Sequence, residues 1–529
     1  MTEISDSIRD GRTSLGIELG STRIKACLIG PDPSVVLAVG EHDWENHLVD
    51  GLWSYSLQDV WAGVQAAFAA LITDAVRRHG VHPTTFGAIG VSAMMHGYLA
   101  FDESGELLVP FRTWRNTNTG VAAAELTTAF GVNIPLRWSI AHLHQAVLDR
   151  EPHVDNLRFF TTLAGYVHWK LTGQRVLGVG DASGMFPVDP DTHDYDARLI
   201  VHFDRLVAGQ APSLNIRELL PSVLVAGEPA GELTAEGAAL LDPTGALRPG
   251  IPLCPPEGDA GTGMVATNSV APRAGNVSAG TSIFAMVVLE RPLANVYEEL
   301  DVVTTPAGDP VAMVHCNNGA SELAAWVGIF RRFAEAAGTP LSHDDAYSAL
   351  FLEALDGEPD GGGLLAYNQL AGEPIAGITD GRPLIVRTND SNFTLANLMR
   401  AQLYGVFATL SIGMGVLDDE GVALDRMFAH GGIFRTAHVA QRFLAAALRA
   451  PVSIAETASE GGAWGIALLA SYTASGATEP LTEYLHSNVF SGTSFTVVEP
   501  HADDVEGFAA YLVRYRAGLE IERTAAHSI

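Results

Sequence analysis

Two short turns, far apart in the chain, combine glycine with hydroxyl residues in a way suited to gripping an anion. The first is Gly16-Ile17-Glu18-Leu19-Gly20-Ser21-Thr22 and the second is Asn276-Val277-Ser278-Ala279-Gly280-Thr281-Ser282. Glycine lets the backbone come close to a ligand, and the adjacent N–H groups and hydroxyls donate to negative oxygens. A third stretch, Gly258-Asp259-Ala260-Gly261, sets a carboxylate between glycines. Room beside the backbone would let a substrate hydroxyl reach Asp259 and give up its proton there. An Asx turn without a chemical role accounts for the same residues. The hydroxyl turn recurs once in each half, which predicts a duplicated, phosphate-gripping fold with a nucleotide between the halves.

The surrounding sequence supplies the elements that must hold these residues. Each turn separates two apolar alternating runs, the second members being Ile24 to Ile29 and Ile283 to Leu289, and this predicts β-hairpins. Ser56 predicts a helix start. Leu57, Val60, Trp61, Val64, Phe68, Leu71, Ile72 and Ala75 recur at helical spacing, with Asp59 three residues after the cap. Strands are expected at Ala88 to Ala93 and Tyr98 to Phe101, around Met94-Met95-His96-Gly97, and helices over 149–173. The second half is expected to hold a strand at Ala312 to Cys316, a helix after Ser321, and a long helix from Leu395 to about Val416. A strand from Arg426 to Ala429 then leads through His430-Gly431-Gly432-Ile433 into a helix from about Thr436. The cluster Glu460-Gly461-Gly462-Ala463-Trp464-Gly465 is expected to open a helix over Ile466 to Tyr472. Gly-rich and acidic, the segment from Pro340 to Pro383 reads as surface loops. The Pro/Gly-rich Arg248 to Pro256 places a domain boundary near 265–275, dividing 1–268 from 269–529.

Composition narrows the class. At 529 residues the chain is long enough for more than one domain, and its 47% apolar content allows large cores. A formal charge of −30 argues against nucleic-acid and anionic-membrane partners, which require basic surfaces. Phosphate must therefore be held locally, by turns, helix N-termini, metal or a few basic residues. Cys27, Cys254 and Cys316 are odd in number and lack metal-site spacing, which suits reduced thiols in a cytoplasmic protein. The polar Met1 to Arg12 lacks a signal-peptide core, and no run reaches the ~18 uninterrupted apolar residues of a membrane span. No Gly-x4-Gly-Lys-[Ser/Thr] occurs, and Gly178-Val179-Gly180 does not extend to GxGxxG, which disfavours P-loop and dinucleotide readings. His142 and His144 stand at i, i+2, do not share a helix face and have no evident carboxylate partner, so they read as structural.

Five landmarks in order resemble the FGGY carbohydrate kinases: the first hairpin, Met95-His96-Gly97, Asp181-Ala182-Ser183-Gly184, Gly258-Asp259-Ala260, and Gly431-Gly432 with Gly461-Gly462. The resemblance runs from Leu15 to about Tyr472. It implies an α/β, two-domain actin/hexokinase-like (ribonuclease H-like) ATPase fold with an interdomain cleft. It also implies ATP and Mg²⁺, and phosphorylation of a terminal hydroxyl of a small sugar, a ketopentose such as xylulose or ribulose.

By the same resemblance Asp259 is the general base and also lies near the metal and the sugar. Glu18 stands where the family usually has Asp and would approach Mg²⁺. Gly20, Ser21 and Thr22, with Gly280, Thr281 and Ser282, would hold the β- and γ-phosphates. Met95 and His96 would contact the sugar. Trp114 would wall it or fill the core, and Asn116, where Asp is common, would read neighbouring hydroxyls. Gly431 and Gly432, with Gly461, Gly462 and Ala463 in the turn from Glu460, would lie on the nucleoside side. The expected partner is a small-molecule sugar, with no nucleic acid or membrane, and a homodimer is left open. A non-catalytic sugar- or nucleotide-binding regulator and a filament-forming protein are the rival readings on this fold.

Overall fold

A computed structural model describes residues 3–436, 438–455 and 461–528. The chain divides into two compact units that interleave along the sequence. One comprises Met1–Val270, Val302–Val311 and Thr457–Thr493; the other comprises Ala271–Asp301, Ala312–Glu456 and Ser494–Ile529.

In the first unit, Ser14–Leu19 (β1), Arg23–Ile29 (β2), Val36–Asp43 (β3), Ala88–Ala93 (β4) and Glu257–Gly258 (β5) form a five-stranded sheet in the order β5-β4-β1-β2-β3. β1 and β2 make the first hairpin, antiparallel, with Glu18 opposite Lys25. β4 runs parallel to β1, and β5 parallel to β4. The apolar side chains of β1 and β4 are almost wholly buried, as expected for strands covered on both faces. The helix Leu57–His79 begins at Ser56, whose hydroxyl accepts the Asp59 N–H at 3.0 Å and donates to the Asp59 carboxylate at 2.7 Å. Helix Gly461–Ala474 belongs to this unit: its residues pack so tightly on β1 that a Cβ at Gly16 would fall 2.2 Å from the Ala463 oxygen.

The second sheet, whose residues belong to the second unit apart from 302–304 and 310–311, contains Ala274–Ala279 (β6), Ile283–Val288 (β7), Leu300–Thr304 (β8), Pro310–Cys316 (β9), Arg426–His430 (β10), Val452–Ala455 (β11) and Phe495–Val498 (β12). Its seven strands lie in the order β8-β9-β7-β6-β10-β11-β12. Here too the hairpin β6/β7 is antiparallel, with β10 parallel to β6 and β11 parallel to β10. The order β2-β1-β4-β5 in one sheet is therefore matched by β7-β6-β10-β11 in the other. The helix Leu395–Asp419 crosses the second core, with Met399, Leu403, Tyr404, Phe407 and Leu410 buried. It and Leu57–His79 are long and apolar enough to cross a membrane by length and composition, and their most apolar windows are 67% and 50% buried within the protein.

Three expectations are corrected. Pro340 to Pro383 is not a run of surface loops: His343–Ala354 is a helix with Ala346, Leu350, Phe351 and Ala354 buried. Asp344 and Asp345 sit in its first turn, where Ser342 caps the Asp345 N–H at 3.1 Å and negative charge favours the helix dipole. Between 149 and 173 only Leu163–Thr172 is α-helix; Phe159–Thr161 is a strand paired with Leu99–Phe101, so aromatic β-propensity wins there. The last glycine cluster does not precede its helix but lies inside it, from Gly461; Glu460 is outside the described residues.

Candidate active site

Three parallel strands of the first unit end side by side, and each releases a predicted site segment from its carboxyl end. β1 leads into Gly20-Ser21-Thr22, β4 into Met94-Met95-His96, and β5 directly into Asp259, the first residue of the helix Asp259–Ala266. Ligands of open parallel α/β sheets bind outside such carboxyl ends, where loops from neighbouring strands diverge.

Asp259 is held by the Met95 N–H, which donates to its Oδ1 at 3.1 Å. It remains accessible to solvent, yet the protein packed around it raises its pKa, with the N–H groups of Met95 and Ala260 acting the other way. Behind it lie carboxylates that the sequence reading did not assign. Asp181 is buried; its Oδ2 accepts the Thr162 hydroxyl at 2.6 Å, and its Oδ1 has no partner among the described residues. Glu257 is also buried and accepts the Asp181 N–H at 2.9 Å and the Gly180 N–H at 3.3 Å. Burial, with a smaller push from the charge of Asp259, raises Asp181 to about 7 against the Thr162 hydroxyl, and burial, then the charge of Asp181, raises Glu257 to about 8. Gly178 and Gly180 make this possible: a Cβ on either would fall within 2.4 Å of a Glu257 oxygen. The glycine pair that fails as a dinucleotide motif is a cradle for a carboxylate.

Glu18, on β1, is half-buried and accepts the Ala463 N–H at 3.1 Å. Burial, then the charge of Asp259, raises it to about 7 against the pull of Lys25. Gly462 closes on the same carboxylate, its Cβ position lying 2.3 Å from Oε1. Gly461, Gly462 and Ala463 thus stand in the unit of Glu18 and Asp259, while Gly431 and Gly432 belong to the other.

On the expected sugar side, His96 is buried with φ +69°, its Nδ1 3.1 Å from the Gly184 oxygen and its ring near-parallel to Trp138. The Met95 side chain lies over Gly258 and reaches Gly184. Trp114 is partly buried against the first core. Asn116 is committed to the backbone: its Oδ1 accepts the Trp53 N–H at 2.8 Å and its Nδ2 donates to the Trp53 and Thr113 oxygens. His142 and His144 are buried on one helix, and His144, contrary to expectation, has a carboxylate partner, Glu125, at 2.9 Å.

The two hydroxyl turns share one arrangement. In the first, the Gly20 oxygen accepts the Trp44 indole N–H at 2.7 Å and the Ser21 oxygen the Tyr55 hydroxyl at 2.6 Å. In the second, the Gly280 oxygen accepts the Ala320 N–H at 2.8 Å and the Thr281 oxygen the Gly319 N–H at 2.7 Å. The Gly20 and Gly280 N–H groups close the turns on the Arg23 and Ser282 oxygens at 3.0 and 2.9 Å, so the hydroxyls and N–H groups of Ser21, Thr22, Thr281 and Ser282 are the donors these turns can offer a ligand. The second turn borders a cavity of about 370 Å³ in the second unit, lined by Gly280, Thr281, Ala320, Tyr347, Gly432 and Arg435 among others. That volume falls in the usual ~300–1,000 Å³ range of small-molecule sites. Gly431 allows its wall to form: φ is +122°, and a Cβ would fall 2.1 Å from the Ala279 oxygen. Among the described residues no three His, Cys, Asp or Glu side chains are grouped to hold a metal.

Paired sheets of matching order, each with a hairpin closed by a glycine-hydroxyl turn, define the two-domain actin/hexokinase-like fold. Within it, this chain belongs to the FGGY family of carbohydrate kinases: the N-terminal domain of that family matches residues 13–265 and the C-terminal domain residues 275–474. It is 22% identical over 432 residues to a xylulose kinase of Haemophilus influenzae, covering 79% of this chain and 82% of that one. A xylulose kinase structure from Rhodospirillum rubrum superposes with a TM-score of 0.78 at 21% identity, covering 98% of this chain and 100% of that one. A Plasmodium falciparum glycerol kinase structure with ADP does so with a TM-score of 0.75 at 13% identity, covering 96% and 98%. The chain is a carbohydrate kinase.

Proposed function

We propose that the chain transfers the γ-phosphoryl group of ATP to a terminal hydroxyl of a ketopentose, xylulose or ribulose. The observation that carries this reading is the placement of Asp259: a carboxylate at the end of a parallel strand, steadied by the Met95 N–H and open to solvent. Phosphoryl transfer asks for positioning and charge stabilisation, with a carboxylate to accept the hydroxyl proton. Asp259 fills that role, and its raised pKa makes it a stronger base than an ordinary aspartate. Met95, His96 and Trp114 form the sugar side, and Asn116 braces the loop beneath them through Trp53. Gly20, Ser21 and Thr22, with Gly280, Thr281 and Ser282, take the phosphates through their uncommitted donors. The nucleoside occupies the cavity beside Gly431 and Gly432; use of an adenine nucleotide is supported by the ADP in the Plasmodium neighbour.

Glu18 and Asp259 suit Mg²⁺, which keeps much of its water and takes few protein carboxylates alongside substrate phosphates. The charge of Asp259 already raises Glu18, a repulsion that a divalent cation relieves. When bound, the ion would neutralise phosphate charge. Gly461, Gly462 and Ala463 shape the space around Glu18. The ketopentose is favoured over glycerol by the H. influenzae and R. rubrum relatives. A coupled assay across pentuloses, hexuloses, glycerol and polyols tests the choice. The expected result is a kcat/KM for xylulose or ribulose at least about tenfold above the rest, the scale of one well-made polar contact; a hexulose or glycerol as best substrate overturns it.

A further inference from the structure

The second hydroxyl turn is held from behind by two further layers of buried polar groups. The layer touching it is the loop 317–320, whose Gly319 and Ala320 N–H groups bind the Thr281 and Gly280 oxygens. The contact is close: a Cβ on Gly319 would fall 2.4 Å from the Gly280 oxygen. Behind that loop runs the strap 368–373, joined to it by Asn317, whose Nδ2 donates to the Gly372 oxygen at 2.8 Å, and above all by Asn318. The Asn318 Oδ1 accepts the Leu370 and Ala371 N–H groups at 2.9 and 3.0 Å. Its Nδ2 donates to the Ala371 oxygen and to Glu373 Oε2, both at 3.1 Å, and its N–H donates to the same Oε2 at 3.2 Å. Asn368 completes the layer, its Nδ2 donating to the Asn318 and Gly319 oxygens at 3.3 and 2.8 Å. Asn318, Asn368 and Glu373 are 5%, 2% and 0% exposed.

Asn368 Oδ1 and Glu373 Oε1 have no partner among the described residues, but every other side-chain polar atom of the three is paired. Buried groups paired in this way favour one geometry, and losing one member leaves its partners unpaired. From the hydrogen-bond chain that joins strap, loop and turn we infer that Asn318 and Glu373 are positioning residues for nucleotide binding. They hold the Gly280 and Thr281 carbonyls inward, so that the donors of the turn face the phosphates. The same loop leads into the helix Ser321–Ala336, whose first turn lines the cavity. The inference rests on the proposed role of the 280–282 turn. Glu373 lies in the segment that the sequence marks as surface loop, and burial raises its pKa to about 7, so a neutral isostere suits the site.

The test compares steady-state KM for ATP, KM for sugar and kcat in four variants, with circular dichroism as the check of fold. Asn318→Ala and Glu373→Ala are expected to raise the ATP KM about tenfold or more, with kcat and sugar KM within about twofold. Glu373→Gln, which keeps an acceptor for Asn318, is expected to restore the ATP KM to within about threefold of the parent. Thr281→Ala, in the turn itself, also raises the ATP KM. Should Asn318→Ala not accumulate as folded protein, Asn368→Ala, which removes the donor to the 318 and 319 oxygens, takes its place with the same expectation. An unchanged ATP KM in Thr281→Ala overturns the assignment of the turn. A raised value there, with unchanged values in the Asn318 (or Asn368) and Glu373 alanine variants, overturns the positioning role alone. Equal losses in Glu373→Gln and Glu373→Ala, or a sugar KM that rises in step, also overturn it.

Discussion

Glu257 shows what a single side chain does at this site without touching the reacting atoms. Its carboxylate anchors the N–H groups of Gly180 and Asp181, and so fixes the buried Asp181 behind Asp259. The arrangement has a pH signature. Glu257 rises from an ordinary 4.5 to about 8, and Asp181 from 3.8 to about 7. Between those limits the folded chain binds more protons than the unfolded one, so these groups lower stability as pH climbs from about 4.5 to about 8. Glu257→Gln removes one of these contributions and the charge beside the other while leaving an acceptor for the N–H groups. Its melting temperature relative to the parent is expected to improve steadily from pH 5.5 to 8.5; a constant difference across that window contradicts the account. The sequence displays Asp259 because glycines flank it. It conceals Glu257 and Asp181, because the Gly178 and Gly180 gap acquires its meaning only when β5 carries Glu257 into it. Asn116 misleads in the opposite way: its amide has the chemistry to read a sugar, but the Trp53 backbone occupies it.

Elements were legible where the local signal and the tertiary need agreed. The Ser56–Asp59 cap, both hairpins and the strand Ala88–Ala93 appear where periodicity and turn residues put them. The helix His343–Ala354 was hidden by acidic and glycine-rich flanks whose charges serve its N-terminus. Nothing local marks the return of the helix Gly461–Ala474 to the first unit, since that depends on small residues meeting across elements. Gly465 is the clearest of these contacts, with its Cβ position 2.0 Å from the Thr262 oxygen, one turn along the helix that Asp259 opens. Gly465→Ala must push the two helices apart. A loss on the order of 1–3 kcal/mol is expected by urea unfolding, the usual cost of overpacking. A fall in kcat should accompany it as Asp259 shifts from the Met95 N–H. Unchanged stability and kcat would show that the close packing does not hold the base in place.

At the scale of the molecule, each unit solves the same problem with the same sheet order, and the chemistry divides between them. The first carries Glu18, Asp181, Glu257 and Asp259 together with the loop after β4; the second carries the cavity beside Gly280, Thr281 and Gly432. A net charge of −30 gives no general attraction for phosphate, which is why the proposed function assigns that grip to oriented donors of the turns. The account stands or falls on proton acceptance by one carboxylate. Sugar-dependent ADP formation by Asp259→Asn, at saturating ATP and sugar and with an unchanged circular dichroism spectrum, measures this directly. The predicted result is a kcat reduced by about 10²–10⁴, the scale of general-base loss; a kcat near that of the parent chain would contradict it.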